Sequence, residues 1–141
     1  MDIVDLRQKA DSGSAVAQAI LGTCYLEGID VEIDYEEAFR LLSAAAEQGA
    51  SRALLNLARI YAEGLGIPTN VPEAISLYEA AAKAGEFLAQ VELARMYLRG
   101  TEVPTDPVAA LRLYSAAVAQ KGRIADCKEL REAMDYVRHA K

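Results

Sequence analysis

Apolar residues recur every three or four positions along nearly the whole chain, which selects helices over strands. The pattern also returns on itself. Tyr25, Tyr61 and Tyr97 share one phase of a 36-residue period, Ala38, Ala74 and Ala110 another, and Leu41, Leu77 and Leu113 a third. Two turn signals cut each period in half. Gly13, Gly49, Gly85 and Gly122 stand where a left-handed residue ends a helix, and Gly28, Gly64 and Gly100 open a longer loop. After that loop Asp34, Asn70 or Asp106 offers a side-chain oxygen to cap the next helix. Glu37 and Glu73 follow three residues on, as in a capping box, and Pro107 suits a first helical position. The spacing predicts first helices near 15–27, 51–63 and 87–99, and second helices near 35–48, 71–84 and 107–120.

A supersecondary unit repeated at this interval buries its apolar face only by stacking on its neighbours. The expected fold is therefore all-α, an α-solenoid of stacked helical hairpins forming one domain over residues 1–141. Its parts are an N-terminal half-unit at 1–13, repeats at 14–49, 50–85 and 86–122, and a C-terminal capping helix at 123–141. In that last segment Ile124, Cys127, Leu130, Met134 and Val137 share one side, leaving a charged outer face of the kind an exposed solenoid end requires.

The order Ala17, Leu21-Gly22, Tyr25, Gly28, Asp34, Ala38, Leu41, Ala45 and Gly49 resembles the Sel-1-like repeat family, a relative of the tetratricopeptide repeats. Ala53, Leu57-Ala58, Tyr61, Gly64-Leu65-Gly66-Ile67, Ala74, Leu77-Tyr78, Ala81 and Gly85 echo it in register. The resemblance implies an α-solenoid used for contact between proteins in adaptors and signalling, with no shared active site. The paired cysteines of the secreted, disulfide-rich members are missing here.

Charge and chemistry narrow the reading further. A net charge of −6 argues against DNA or RNA as a partner, because phosphate binding is carried by an excess or a dense stripe of Lys and Arg. No run approaches the length of a membrane span, and the opening Met-Asp-Ile-Val-Asp-Leu-Arg lacks the basic-then-apolar order of a secretory leader, so a cytoplasmic location is expected. Cys24 and Cys127 lie far apart with no metal-ligand spacing; neither a disulfide, a metal site nor a cofactor is expected. The single histidine, His139, is the third residue from the end, and the acidic residues Asp34, Glu36 and Glu37 are explained by a helix start. An enzyme is not expected.

Function is then sought where the repeats disagree. On the first helices, steps of four, three and four put Val16, Ile20, Thr23 and Glu27 on one face. Arg52, Asn56, Arg59 and Glu63 follow in the second repeat, and Leu88, Glu92, Arg95 and Arg99 in the third. By analogy with tetratricopeptide arrays this face is concave, and it is expected to grip an acidic, partly apolar segment of another protein, with Arg52, Arg59, Arg95 and Arg99 as charged contacts. The same residues also permit a solvated face stitched by Arg59–Glu63 and Glu92–Arg95 pairs along single helices. Two classes of binder fit: an adaptor or regulator, or an immunity-type neutraliser of a bacterial toxin or effector. A monomer is expected, with self-association through the ends of the stack as a further route.

Overall fold

In the computed structural model, residues 2–100, 102–121, 135, 138 and 139 are described, and the described residues form helices and connecting loops without a strand. The order is α1 (Ile3–Asp11), α2 (Ala15–Glu27), α3 (Tyr35–Glu47), α4 (Ser51–Glu63), α5 (Val71–Lys83), α6 (Phe87–Arg99) and α7 (Pro107–Lys121). These are the half-unit helix and the three helical hairpins that the period calls for. The capping helix expected at 123–141, with Gly122 and Cys127, lies outside the described residues apart from 135, 138 and 139. Contacts group the chain into two units, 1–80 and 81–141, with the division inside α5.

Each long loop is closed by the same three devices. Gly28, Gly64 and Gly100 take left-handed φ values of 72°, 68° and 69°, which a Cβ would disfavour. The Gly28 N–H donates to Cys24 O at 2.8 Å, and the next two glycines repeat the bond to Ile60 O and Met96 O at 2.9 Å. The chain then turns back. The N–H groups of Asp34, Asn70 and Asp106 each donate to the carbonyl of the tyrosine in the preceding helix, Tyr25, Tyr61 and Tyr97, all at 2.9 Å. Finally the Asp34, Asn70 and Asp106 side chains accept from the N–H groups of Glu37, Glu73 and Ala109. The shared phases of tyrosine and of Asp or Asn thus reflect one closure repeated three times.

In the first unit α1 packs on α2, α2 on α3, α3 on α4, and α2 also reaches α4. Leu6, Ala10, Ala17, Leu21 and Leu41 form one apolar cluster, and Ala38, Leu42, Ala45, Ala53, Leu57 and Ile60 belong to the next. Tyr25 packs against both. Gly22 lets α2 and α3 meet: a Cβ there would lie 2.8 Å from Leu42 Cγ and 3.2 Å from Leu41 Cβ. In the second unit α6 packs on α7 around Ala94, Ala110, Tyr114 and Val118.

Two features depart from the expected local chemistry. The Glu37 carboxylate serves as an ionic hub: Arg7 Nη1 donates to it at 2.8 Å and Arg40 Nε at 3.2 Å, while Arg7 Nη2 donates to the Tyr25 hydroxyl at 2.6 Å. The hydrogen bonds from Arg40 and then Arg7 outweigh burial and hold the Glu37 carboxyl down to about 2. Glutamines also join the hairpin ends. Buried Gln18 donates to Ala10 O at the end of α1, and Gln48 donates to both Gly13 O at 3.1 Å and Gln18 Oε1 at 2.9 Å. Gln90 and Gln120 repeat only the backbone contacts in the second unit, donating to Ala82 O and Gly85 O, and buried Gln90 Oε1 has no hydrogen-bond partner.

Candidate functional site

The residues assigned to a binding face from the sequence lie on α2 and α4 in the first unit and on α6 in the second. In α2, Val16 is 70% exposed and Ile20 36%, with Thr23 half-buried and Glu27 exposed at the end of the helix. Next to them is an apolar groove of about 610 Å³. Val16, Ala19, Ile20, Thr23 and Cys24 line it from α2, Ile29 from the following loop, and Ala50, Ser51 and Arg52 from the start of α4. The structure therefore brings Val16, Ile20, Thr23 and Arg52 around one hollow. Burial puts the Cys24 thiol up from its ordinary value, so it is held protonated rather than activated as a nucleophile.

From Thr23 a line of hydrogen bonds crosses to α4. The Thr23 hydroxyl donates to Ala19 O at 2.8 Å and accepts from Asn56 Nδ2 at 2.9 Å. Asn56 Oδ1 accepts from Arg59 Nη1 at 3.3 Å, and the same nitrogen pairs with Glu27 at 3.1 Å. Asn56 is only 3% exposed. The sequence puts it on an open face; the structure puts it beneath that face, as the strut that fixes Arg59. Spacing offered Glu63 as the partner of Arg59, whereas the guanidinium reaches across to the neighbouring first helix. With both side chains well exposed, the Glu27 pair contributes less than about 1 kcal/mol, yet it occupies a group that the sequence offered to a partner.

Glu63 is exposed at the end of α4. Leu88, Glu92, Arg95 and Arg99 hold the corresponding phase of α6 in the second unit. Leu88 is 54% exposed, Arg99 is exposed in the last turn, and Arg95 pairs with Glu92 at 2.8 Å, as their spacing of three allows. Ile29 escaped the sequence reading. It is 47% exposed, whereas Leu65, in the same phase of the second repeat, packs against the core. The signal was present in the alternation Ile29-Asp30-Val31-Glu32-Ile33-Asp34, which stands where the next loop has Leu65-Gly66-Ile67-Pro68-Thr69-Asn70.

A family model, the Sel1 repeat, matches residues 15–49, 51–86 and 88–121. The chain belongs to the Sel1 repeat family. A Sel1 repeat protein from Oxalobacter formigenes is 39% identical, with a TM-score of 0.78 over 95% of this chain and 98% of that one. A protective antigen present in uropathogenic Escherichia coli strains, displaying the same repeat fold, is 34% identical with a TM-score of 0.78 over 85% of this chain. The match spans 26% of that antigen's length. No curated protein matches at comparable strength. Sel1 repeat proteins generally mediate protein–protein interaction and are typically non-enzymatic scaffolds. Among the described residues of this Sel1 repeat chain, no group of three His, Cys, Asp or Glu side chains could hold a metal ion, and no helix is long and apolar enough to cross a membrane.

Proposed function

We propose that the chain is a non-enzymatic interaction module that binds a segment of another protein on its first-helix face, centred on the groove beside α2. The observation that carries this reading is the cluster of exposed aliphatic side chains, Val16, Ile20 and Ile29, around a hollow of about 610 Å³. Exposed apolar groups gathered on one concavity mark interaction sites more often than the same groups scattered singly. Family membership supports a protein as the ligand. Arg52 serves this face as the charged contact in the first unit, while Arg59 acts as part of its frame.

The test compares the wild-type chain with a Val16→Glu, Ile20→Glu double variant in affinity capture from native lysate, after circular dichroism shows both to be folded. A protein retained by the wild type and lost by the variant supports the reading. Equal recovery by both moves the binding surface away from α2. Affinity then separates the adaptor from the neutraliser, because one target held at nanomolar strength or tighter suits neutralisation.

A further inference from the structure

The loop between α2 and α3 differs from its counterpart between α4 and α5 in what lies against it. In the later loop Leu65 and Ile67 pack on the core, and Gly66 meets the first residue of α3: a Cβ there would lie 2.6 Å from Tyr35 Cβ. One period earlier the same places hold Ile29, Val31 and Asp30. Ile29 is 47% exposed and Ile33 54%. Asp30 takes a left-handed φ of 60°, near the 75° of Gly66, so the turn is kept while a side chain is added.

That side chain decides against one occupant. A further repeat or a second copy stacked in register would bring the Cβ of its Tyr35 counterpart to about the same 2.6 Å from Asp30 Cβ. Carbon atoms rest against one another at about 3.5 to 4.0 Å, so the stack does not continue over this loop as it does at the next one.

Charge selects another. From Glu27 to Glu37 the chain carries six acidic residues and no Lys or Arg. Glu27 pairs with Arg59, Glu37 pairs with Arg7, and Asp34 caps α3. Asp30, Glu32 and Glu36 are exposed and form no ion pair among the described residues. No three such side chains there converge as a metal site requires. Arg52, the cation that lines the groove beside α2, already has an interaction within the chain. The charge left open around Ile29 and Ile33 is therefore negative, and it complements Lys or Arg.

We infer that the loop from Ile29 to Ile33 is a docking surface for a basic, apolar segment of a partner protein, whose aliphatic side chains cover Ile29 and Ile33 while its Lys or Arg side chains meet Asp30, Glu32 and Glu36. The inference goes beyond the reading of the groove, with which it shares Ile29.

The experiment selects binders from a random peptide library displayed on phage, using the folded wild-type protein, and measures the affinities of the selected peptides by fluorescence anisotropy. The expected peptides combine Lys or Arg with aliphatic residues. Their affinity should fall at least about tenfold with Asp30→Asn, Glu32→Lys, and likewise with Ile29→Ser, Ile33→Ser. Asn tolerates the left-handed backbone at position 30. Glu47→Gln, Glu79→Lys makes the same change in net charge at exposed sites elsewhere and should alter affinity less than about twofold.

Selected peptides that lack Lys and Arg, or that weaken equally with the control pair, overturn the basic occupant. Basic peptides that ignore Ile29→Ser, Ile33→Ser respond only to the field of an acidic protein and overturn the docking surface. Peptides weakened by Val16→Ser and indifferent to the loop variants leave the groove standing and overturn this inference. Peptides lost with the loop variants and indifferent to Val16→Ser uphold it and separate the loop from the groove. A selection that enriches no peptide overturns it as well. Glu32→Lys alone serves if the double charge variant fails to fold.

Discussion

Replacing Glu37 by glutamine removes a charge from the junction of α1, α2 and α3 while keeping nearly the same shape. The folded chain holds this carboxyl at about 2 against an ordinary value of 4.5. At about 1.4 kcal/mol per pH unit, that difference caps its contribution at about 3 kcal/mol. Arg40 is 59% exposed and Arg7 31%, so solvent screens part of the attraction and about 1 to 2 kcal/mol is expected. Because the folded value is depressed, the stabilisation is fully present above pH 4.5 and is lost as pH falls toward about 2. Urea unfolding followed by circular dichroism should therefore show Glu37→Gln about 1 to 2 kcal/mol less stable than wild type at neutral pH. The gap should close steadily between pH 4.5 and about 2. A gap that persists undiminished at the acid end would refute the reasoning, since it would place the effect in the packing of the side chain and not in its charge. Equal stability at neutral pH would show that the desolvation of Arg7 and Glu37 cancels their attraction.

Three further outcomes follow from the packing. Gly22→Ala should destabilise by about 1 to 2 kcal/mol, because the strain against fully buried Leu42 exceeds the roughly 1 kcal/mol that alanine gains over glycine in a helix; a raised melting temperature would contradict this. Asn56→Ala should cost about 1 to 2 kcal/mol by breaking the bond to Thr23 and releasing Arg59, and nuclear magnetic resonance of the Arg59 side chain should show it becoming more mobile. Gln48→Ala should cost about 1 kcal/mol in urea unfolding and should add little to the cost of Gln18→Ala, since the two share one network; full additivity would dissolve that coupling.

The helices were legible because their signals are local. A 3.6-residue period, a glycine at a left-handed stop and an Asp or Asn at a helix start act within a few residues of one another, and they recur every 36 residues. The helix positions in the described residues accordingly match the expected spans closely. On the binding face, Arg95 and Glu92 were legible for the same reason, being three apart on one helix. Arg59 was not. Its ionic partner is Glu27 on the preceding first helix, and the choice between Glu27 and Glu63 depends on how far α2 and α4 are offset as they pack.

The sequence by itself determined the repeating hairpins and which residues share a phase, because backbone hydrogen bonding and apolar spacing are properties of short segments. Only the tertiary structure decided that Asn56 is a buried strut, that Glu37 binds Arg7 from the first helix, and that Ile29 joins Val16 and Ile20 around a groove. Each of these depends on the offset and close approach of neighbouring helices. Side-chain packing sets that offset: Gly22 against Leu42, Tyr25 between two clusters and Gln48 on Gln18 are contacts between residues whose separation along the chain carries no periodic mark of their meeting.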